Sequence, residues 1–356
     1  MLRNSEKIHN RTNTSKLIFA LLINRLVLLF IFIFSFLLTL SAQNMNRSLP
    51  FIKNHLKSEY KAATQNWAIV QDKRGILYFA NNDGVLEFNG LNWKTYPVPN
   101  SSIVRSLAID KDEKIWVGAY NEIGFLQANQ IGEMEYVSIT NLVPEKHKDF
   151  GEVWKIHPTE HGIYFQSFAA IFYYDYNKVK LIGSYSDYQF SYYINNRFFI
   201  QDKNKGLMEL RGNSLFLIEG GDVFINPVEI WSMMLFDNDH ILIATQQDGL
   251  FVYDGYKITK YKSKIEKFLV ENQVFSSLKL DNGNFLFGTI QNGIIITNQK
   301  GELLQHINKE RGLQNNTILS MFVYSNGQLW LGLDNGIDYL EINSAFSYIN
   351  DGCGIS

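Results

Sequence analysis

Residues Gly75–Gly90 read GILYFANNDGVLEFNG, and this pattern predicts the fold. It consists of a short apolar strand, a polar turn that contains glycine, and a second apolar strand. The same arrangement returns as HILIATQQDGLFVYDG at His240–Gly255 and as QLWLGLDNGIDYLEIN at Gln328–Asn343. Short apolar runs separated by Asn-Gly or Asp-Gly turns are typical of antiparallel β-sheets.

The turn recurs along the chain at steps of 36 to 46 residues, and its small residue is found at Gly84, Gly124, Ala170, Gly206, Gly249, Gly293 and Gly336. Units of roughly 40 to 50 residues with four short strands are typical of β-propeller blades. The sequence therefore predicts an all-β fold, a seven-bladed β-propeller over residues 67–349. We expect the blades to begin at or near Trp67, Ile103, Val153, Gln189, Ile230, Val274 and Thr317. Residues 43–66 are expected to form a polar lead-in that packs on the first blade.

The N-terminal 42 residues have the features of a targeting segment. Basic residues precede and interrupt an apolar run, and Leu26–Leu40 carries no charge before the small residue Ala42. This pattern predicts a secretory signal peptide. The alternative is an uncleaved membrane anchor over residues 17–40, although Asn24 and Arg25 would lie inside it. Either interpretation predicts a location at the periplasmic face of the inner membrane or outside the cell.

Composition excludes several classes of protein. The chain has 356 residues, of which 46% are apolar and 14% aromatic, so it can bury a large core. Residues 1–42 hold five basic and one acidic residue, which leaves 28 basic and 34 acidic residues in the remainder. Direct nucleic-acid binding requires a basic surface, so this stretch is not expected to bind DNA or RNA. A single cysteine, Cys353, allows no intramolecular disulfide, and we expect no metal site and no cofactor.

The first two blades resemble a known family. The stretches QNWAIVQDKRGILYFANNDGVLEFNG (Gln65–Gly90), SSIVRSLAID (Ser101–Asp110) and KIWVGAYNEIGFL (Lys114–Leu126) are similar to the periplasmic sensor region of Bacteroidetes regulators with two-component regulator propeller repeats. The membrane-anchored transcriptional regulators with a triple-tyrosine module are the most similar of these. The resemblance extends over about Pro50 to Ile349. It is specific in the first two blades, and in the later blades it is limited to a generic blade motif.

The resemblance implies a larger protein. Members of this family continue into a second propeller, a triple-tyrosine domain, a membrane helix and an output module, which is a helix-turn-helix domain or a histidine kinase. We therefore interpret the chain as an N-terminal fragment with a truncated tail at residues 350–356, and a natural stand-alone propeller is the alternative. Implied partners are an oligosaccharide, the membrane through the leader or a downstream helix, and a second copy in a full-length homodimer.

Two sets of residues are candidates for ligand binding. The first lies in the loops between the second and third strands of each blade, where side-chain amides could bond sugar hydroxyls; it comprises Asn82, Asp83, Tyr120, Glu122, Gln247, Asp248, Asn292 and Asn335. Tight turns also favour these residue types, so turn formation is the alternative explanation.

The second set is found by counting back 13 residues from Ala80, Gly118, Ala244, Gly288 and Gly332, which gives Trp67, Arg105, Trp231, Phe275 and Leu319. Trp154 is the expected counterpart in blade three. Arg105 could hold a carboxylate or sulfate with two hydrogen bonds, and the aromatic rings could stack on sugars. Packing between blades is the alternative for Trp67 and Trp231.

Three functions follow from these features. The first is a glycan-responsive, non-catalytic sensor region of a membrane-anchored signalling or transcriptional regulator. The second is a secreted carbohydrate-active enzyme, for which Asp83 and Glu122 would be the carboxylate pair. The third is a non-catalytic propeller that binds only protein.

Overall fold

The computed structural model describes residue 25, residues 49–324 and residues 327–343. The predicted leader, apart from Arg25, and the predicted tail at residues 350–356 lie outside these ranges. Among the residues described, no helix is both long enough and apolar enough to cross a membrane.

The fold is a ring of seven four-stranded antiparallel sheets, which confirms the predicted seven-bladed propeller. In chain order the strands are β1 (Phe51–His55); β2 (Asn66–Gln71), β3 (Leu77–Asn81), β4 (Gly84–Phe88), β5 (Trp93–Tyr96); β6 (Val104–Ile109), β7 (Ile115–Ala119), β8 (Glu122–Ala128), β9 (Met134–Ser138); β10 (Val153–Pro158), β11 (Ile163–Ser167), β12 (Ile171–Tyr174), β13 (Val179–Ile182); β14 (Tyr188–Ile194), β15 (Arg197–Asp202), β16 (Gly206–Arg211), β17 (Ser214–Leu217); β18 (Ile230–Leu235), β19 (Ile241–Thr245), β20 (Leu250–Tyr253), β21 (Ile258–Tyr261); β22 (Val274–Lys279), β23 (Phe285–Thr289), β24 (Ile294–Thr297), β25 (Leu303–Ile307); and β26 (Ile318–Val323), β27 (Gln328–Leu333), β28 (Ile337–Glu341). Each group between semicolons is one sheet, except that β1 belongs to the sheet of β26, β27 and β28. Each blade begins within one residue of its predicted start.

Two short α-helices lie in the connections. Helix α1 (Lys57–Tyr60) follows β1 and ends at Lys61, which adopts a left-handed conformation. Helix α2 (Glu266–Asn272) lies between blades five and six and buries Leu269.

The ring is closed by the strand that precedes the first blade. Strand β1 pairs with β28, so that Phe51 lies opposite Glu341 and His55 opposite Ile337. The predicted lead-in thus contributes the outermost strand of the seventh sheet, and it also packs on blade one, where His55 and Tyr60 contact Trp93. Side-chain bonds reinforce the closure, since Asn54 Nδ2 donates to the buried Asp338 Oδ1 at 2.8 Å.

The second strand of each blade forms the core between neighbouring sheets. Strands β3, β7, β19 and β23 are buried along their whole length, as expected for sheets covered on both faces. Blades approach so closely that Gly118 has no room for a side chain. A Cβ atom there would lie 2.5 Å from Ser106 Oγ and 2.6 Å from Val153 Cγ1 of the next blade.

The first strands, β2, β6, β10, β14, β18, β22 and β26, contact one another around a closed inner ring. Because the strands in each blade alternate in direction, two faces result. We call front face the side where the first strands begin and the second strand turns into the third. The back face carries the turns between the first and second strands, such as Asp72–Gly75. All residues of the two predicted candidate sets belong to blade positions at or near the front face.

Candidate functional site

A β-bulge interrupts the first strand of every blade. In blade two, Val104 pairs with Ala119 and Ser106 pairs with Gly118, so Arg105 has no partner in the ladder. A bulge re-aims the side chain of the extra residue. The extra residues are Trp67, Arg105, Trp154, Trp231, Phe275 and Leu319, with Gln189 and Phe190 in blade four. The set found by counting residues is therefore a ring of bulges on the innermost strands.

Arg105 lies between two tryptophans at the centre of this ring. Its guanidinium carbon is 4.0 Å from the Trp67 ring centroid and 4.9 Å from the Trp154 ring centroid. The two indole rings, from blades one and three, meet edge to face at 5.6 Å. A partly desolvated cation–π contact of this kind contributes about 1–2 kcal/mol. We call Trp67, Arg105, Glu152 and Trp154 the channel-mouth cluster.

Glu152 occupies the forked side of the guanidinium. Arg105 Nε and Nη2 donate to Glu152 Oε1 at 2.9 and 2.7 Å. The side chains of Arg105 and Glu152 are 12% and 27% exposed. The prediction that Arg105 is free to hold a ligand anion with two bonds therefore needs correction, because the carboxylate of Glu152 already takes that position. Sequence reasoning missed Glu152, although a glutamate stands two residues before a tryptophan both here and at Glu229.

Two donors of the cluster have no acceptor. Arg105 Nη1 and Trp154 Nε1 are both buried and make no hydrogen bond within the described part of the chain. Leaving a buried donor unpaired costs about 1–3 kcal/mol. By contrast, Trp67 Nε1 donates to Asn82 Oδ1 at 2.8 Å. The unpaired donors mark the place where an acceptor oxygen from a ligand would be most strongly stabilised.

Aromatic rings extend the cluster across the front face. Phe168 stacks on Trp154 at 5.1 Å and is 37% exposed, so it covers the indole from the solvent side. Phe190 packs against Trp154 at 5.7 Å and against Trp231 at 5.4 Å. Trp231 in turn lies 4.8 Å from Phe275. The result is an apolar surface that runs from blade one to blade six.

Charged side chains that sequence reasoning missed lie beside these rings. Trp231 Nε1 donates to Glu229 Oε2 at 3.2 Å, and Lys203 Nζ donates to Glu229 Oε1 at 3.0 Å. The ammonium of Lys155 lies 4.7 Å from the Phe190 ring centroid. Burial lowers the pKa of Lys155 to about 8, so a fraction of this amine is uncharged near neutral pH.

The predicted loop residues divide into two groups. Asn82 belongs to the site, since it bonds both Trp67 and Gln65. Tyr120 is 53% exposed and forms a backbone bridge with Glu152, which places it at the rim of the cluster. The remaining exposed or half-buried members stand at the tips of the front-face turns: Asp83, Gln247, Asp248, Asn292 and Asn335.

Hydrogen bonds from the backbone hold the turns that carry this second group. The backbone N–H groups of Asp248 and Asn292 donate to the hydroxyls of Thr245 and Thr289 at 2.9 and 3.0 Å. The backbone N–H of Asp83 donates to Asn81 Oδ1 at 3.0 Å. These bonds use backbone N–H groups, which any residue except proline can supply, so they hold the turns but do not determine which side chains stand there.

Glu122 does not lie in the cluster. It is buried, and its Oε1 accepts a hydrogen bond from the Tyr136 hydroxyl at 2.8 Å on the outer strand of its blade. Burial and the neighbouring Glu122 carboxylate raise the pKa of Tyr136 far above its ordinary value. Asp83 is exposed on a different blade, and within the described residues no hydrogen bond joins it to Glu122. Of the two carboxylates considered for catalysis, Glu122 is buried and bonded to Tyr136, and Asp83 is exposed.

Solved structures with this fold include extracellular domains of two-component systems and a lyase. The extracellular domain of one hybrid two-component system from B. thetaiotaomicron matches with a TM-score of 0.64 and 20% identity, over 83% of this chain and 40% of that chain. A second such domain from the same organism matches with a TM-score of 0.56 and 21% identity, over 83% and 42%. Virginiamycin B lyase from Staphylococcus aureus matches with a TM-score of 0.61 and 14% identity, over 82% and 99%.

These likenesses establish the fold. The two-component extracellular domains agree with the resemblance noted in the first two blades, and the chain spans about 40% of their length. The match to a lyase shows that the same scaffold is also found in an enzyme. A scan against protein-family models found no match, and a search of curated proteins found no relative.

Proposed function

We propose that this propeller is the ligand-sensing, non-catalytic region of a periplasmic or exported signalling protein, and that it binds an oligosaccharide at the channel-mouth cluster. The observation that carries the proposal is the pair of buried, unpaired donors, Arg105 Nη1 and Trp154 Nε1, beside stacked aromatic rings. Sugar rings stack on aromatic faces, and sugar oxygens accept from such donors. The fold shared with extracellular domains of two-component systems supports the sensing role.

The ligand enters by displacing Phe168. This ring covers Trp154 from the solvent side, whereas Arg105 and Trp154 are fixed by the inner strands. A sugar ring that replaces Phe168 on the indole would keep the stacking contact and add acceptors for the two donors. Because Glu152 already neutralises Arg105, an uncharged sugar fits the cluster better than an acidic one.

The signal would pass to parts of the protein beyond this chain. We propose that the propeller serves a longer membrane-anchored regulator, because comparable propeller regions make up about 40% of the two-component extracellular domains. Ligand binding would act through a homodimer of that regulator. The choice between a DNA-binding and a kinase output lies with the downstream module.

The test is a thermal-shift screen of neutral and acidic oligosaccharides, followed by calorimetric titration of the hits. A ligand that binds only the folded state increases the free energy of unfolding by about RT ln(1 + [L]/Kd), where [L] is the free ligand concentration, and so raises the melting temperature. Trp154→Phe, which removes Nε1 and keeps a ring, is expected to weaken binding at least fivefold. Trp93→Phe, on the outermost strand of blade one, serves as the matched control and should bind normally.

Three results would contradict the proposal. No stabilisation by any oligosaccharide would remove the glycan assignment. Turnover of a hit, detected as a change in the sugar after incubation, would favour the enzyme alternative. Equal affinity in Trp154→Phe and the unmodified chain would place the site elsewhere on the molecule.

A further inference from the structure

A second system of cavities opens on the back face, opposite the channel-mouth cluster. The larger cavity, of about 740 Å³, is formed by blades two, three and four. A neighbouring cavity of about 520 Å³ continues towards blades five and six, and Tyr193 lines both. Ligand sites in proteins usually have volumes of about 300–1,000 Å³. Two adjoining cavities of this size suit an extended ligand better than a single small molecule.

Tyrosine rings form the wall of the larger cavity. Tyr164 packs on Tyr173 at 4.7 Å and on Phe198 at 4.9 Å, and Tyr193 completes the group from blade four. All four rings come from strands, so the rigid sheets hold them in place. A contiguous group of partly exposed aromatic rings is a feature of binding surfaces.

The hydroxyls of these tyrosines are available. Within residues 49–324 and 327–343, no hydrogen bond engages the side chains of Tyr164, Tyr173 or Tyr193. Burial raises the pKa of Tyr164 and of Tyr193 above the ordinary value, so both hydroxyls stay protonated at physiological pH. Each can donate one hydrogen bond and accept others, which matches the paired donor and acceptor character of sugar hydroxyls.

The charge around the cavity is nearly balanced. Lys111 and Glu160 are exposed at the rim, with opposite charges. Asp110 also lines the cavity, but it is buried and its Oδ2 accepts from Trp116 Nε1 at 2.8 Å. A ligand with a net charge would gain little electrostatic attraction here, so an uncharged ligand is not at a disadvantage.

We propose that this back-face cleft binds a neutral polysaccharide chain, with sugar rings stacked on Tyr164 and Tyr193 and sugar hydroxyls bonded to the three tyrosine hydroxyls. The site is separate from the channel-mouth cluster and lies on the other face of the ring. The propeller thus offers one site for an extended polymer and another for a smaller sugar.

Affinity electrophoresis of the purified chain tests the proposal. Native gels would contain starch, galactomannan, yeast mannan or β-glucan, with polygalacturonate as the charged comparison. At least one neutral polymer should retard the chain, and polygalacturonate should not. The Tyr164→Ala variant should need at least tenfold more polymer for the same retardation. Tyr256→Ala is the matched control, because Tyr256 is 83% exposed on a turn of the same face and lines neither cavity.

Several outcomes would overturn the proposal. These are no retardation by any neutral polymer, stronger retardation by polygalacturonate, unchanged retardation of Tyr164→Ala, or an equal loss in Tyr256→Ala. If Tyr164→Ala does not melt cooperatively, Tyr193→Phe replaces it, since this change removes a single hydroxyl; it should weaken retardation at least twofold, and no change would count against the proposal. The front-face experiment uses different variants, so the two proposals can fail independently.

Discussion

The Arg105–Glu152 pair predicts a measurable coupling energy in a double-mutant cycle. The variants are Arg105→Met, Glu152→Gln and the double substitution. Two charge-assisted hydrogen bonds, of 2.9 and 2.7 Å, join the side chains, and each such bond contributes about 1.5–3 kcal/mol when buried. Both bonds share one oxygen and Glu152 is 27% exposed, so solvent screening reduces the sum. We expect a coupling of about 2 kcal/mol.

The assay is equilibrium unfolding followed by circular dichroism. With an unfolding entropy of about 2.1 cal/mol/K per residue and roughly 300 folded residues, 2 kcal/mol corresponds to a change of about 3 °C in Tm. Glu152→Gln alone should destabilise the fold, because it leaves a guanidinium buried between Trp67 and Trp154 without its counter-charge. The double variant should be more stable than the sum of the single effects implies. A coupling below about 0.5 kcal/mol would show that the pair behaves as an exposed ion pair and does not orient Arg105.

Four further changes test other parts of the structure. Phe168→Ala should uncover Trp154 and tighten binding of the front-face oligosaccharide about two- to fivefold in calorimetry, and weaker binding would show that Phe168 is itself a contact. Gly118→Ala should lower the stability by about 1–3 kcal/mol in denaturant titrations, because its Cβ would overlap Ser106 and Val153; a smaller loss would show that the blades can separate. Burial, together with nearby Lys155, lowers the pKa of His157 to about 3, so the unfolded chain binds a proton below pH 6.5 and the folded chain does not; stability should fall by about 1–2 kcal/mol between pH 7 and pH 5, and His157→Gln should flatten that slope. Removing residues 1–56 should lower Tm by more than about 5 °C relative to removal of residues 1–48, since the longer deletion takes away β1, and equal melting temperatures would argue against closure by this strand.

The sequence predicted the blades because their local patterns repeat. Inner strands begin within one residue of the expected positions, and the count of 13 residues located the bulges before any pairing was known. The count works since the bulge residue and its reference residue belong to one hairpin. A hairpin of fixed length keeps this separation constant in most blades.

Closure and the candidate site depend on contacts that no local pattern encodes. Strand β1 pairs with a strand near the other end of the chain, and a five-residue segment carries no signal for so distant a partner. Glu152 reaches Arg105 from the next blade, so the role of this carboxylate becomes visible only when blades are placed side by side. The back-face tyrosines likewise come from separate strands of two blades, which explains why sequence reasoning did not group them.

The pairing of β1 with β28 also defines how the propeller responds to force. Phe51 lies opposite Glu341 in an antiparallel pair, so the two chain segments leave the sheet at the same end. Tension applied between residue 50 and residue 342 would load the first rung alone and peel the strands apart one rung at a time, instead of shearing five rungs together. The ring would thus open at low force at a defined seam, while the other six blades stay intact.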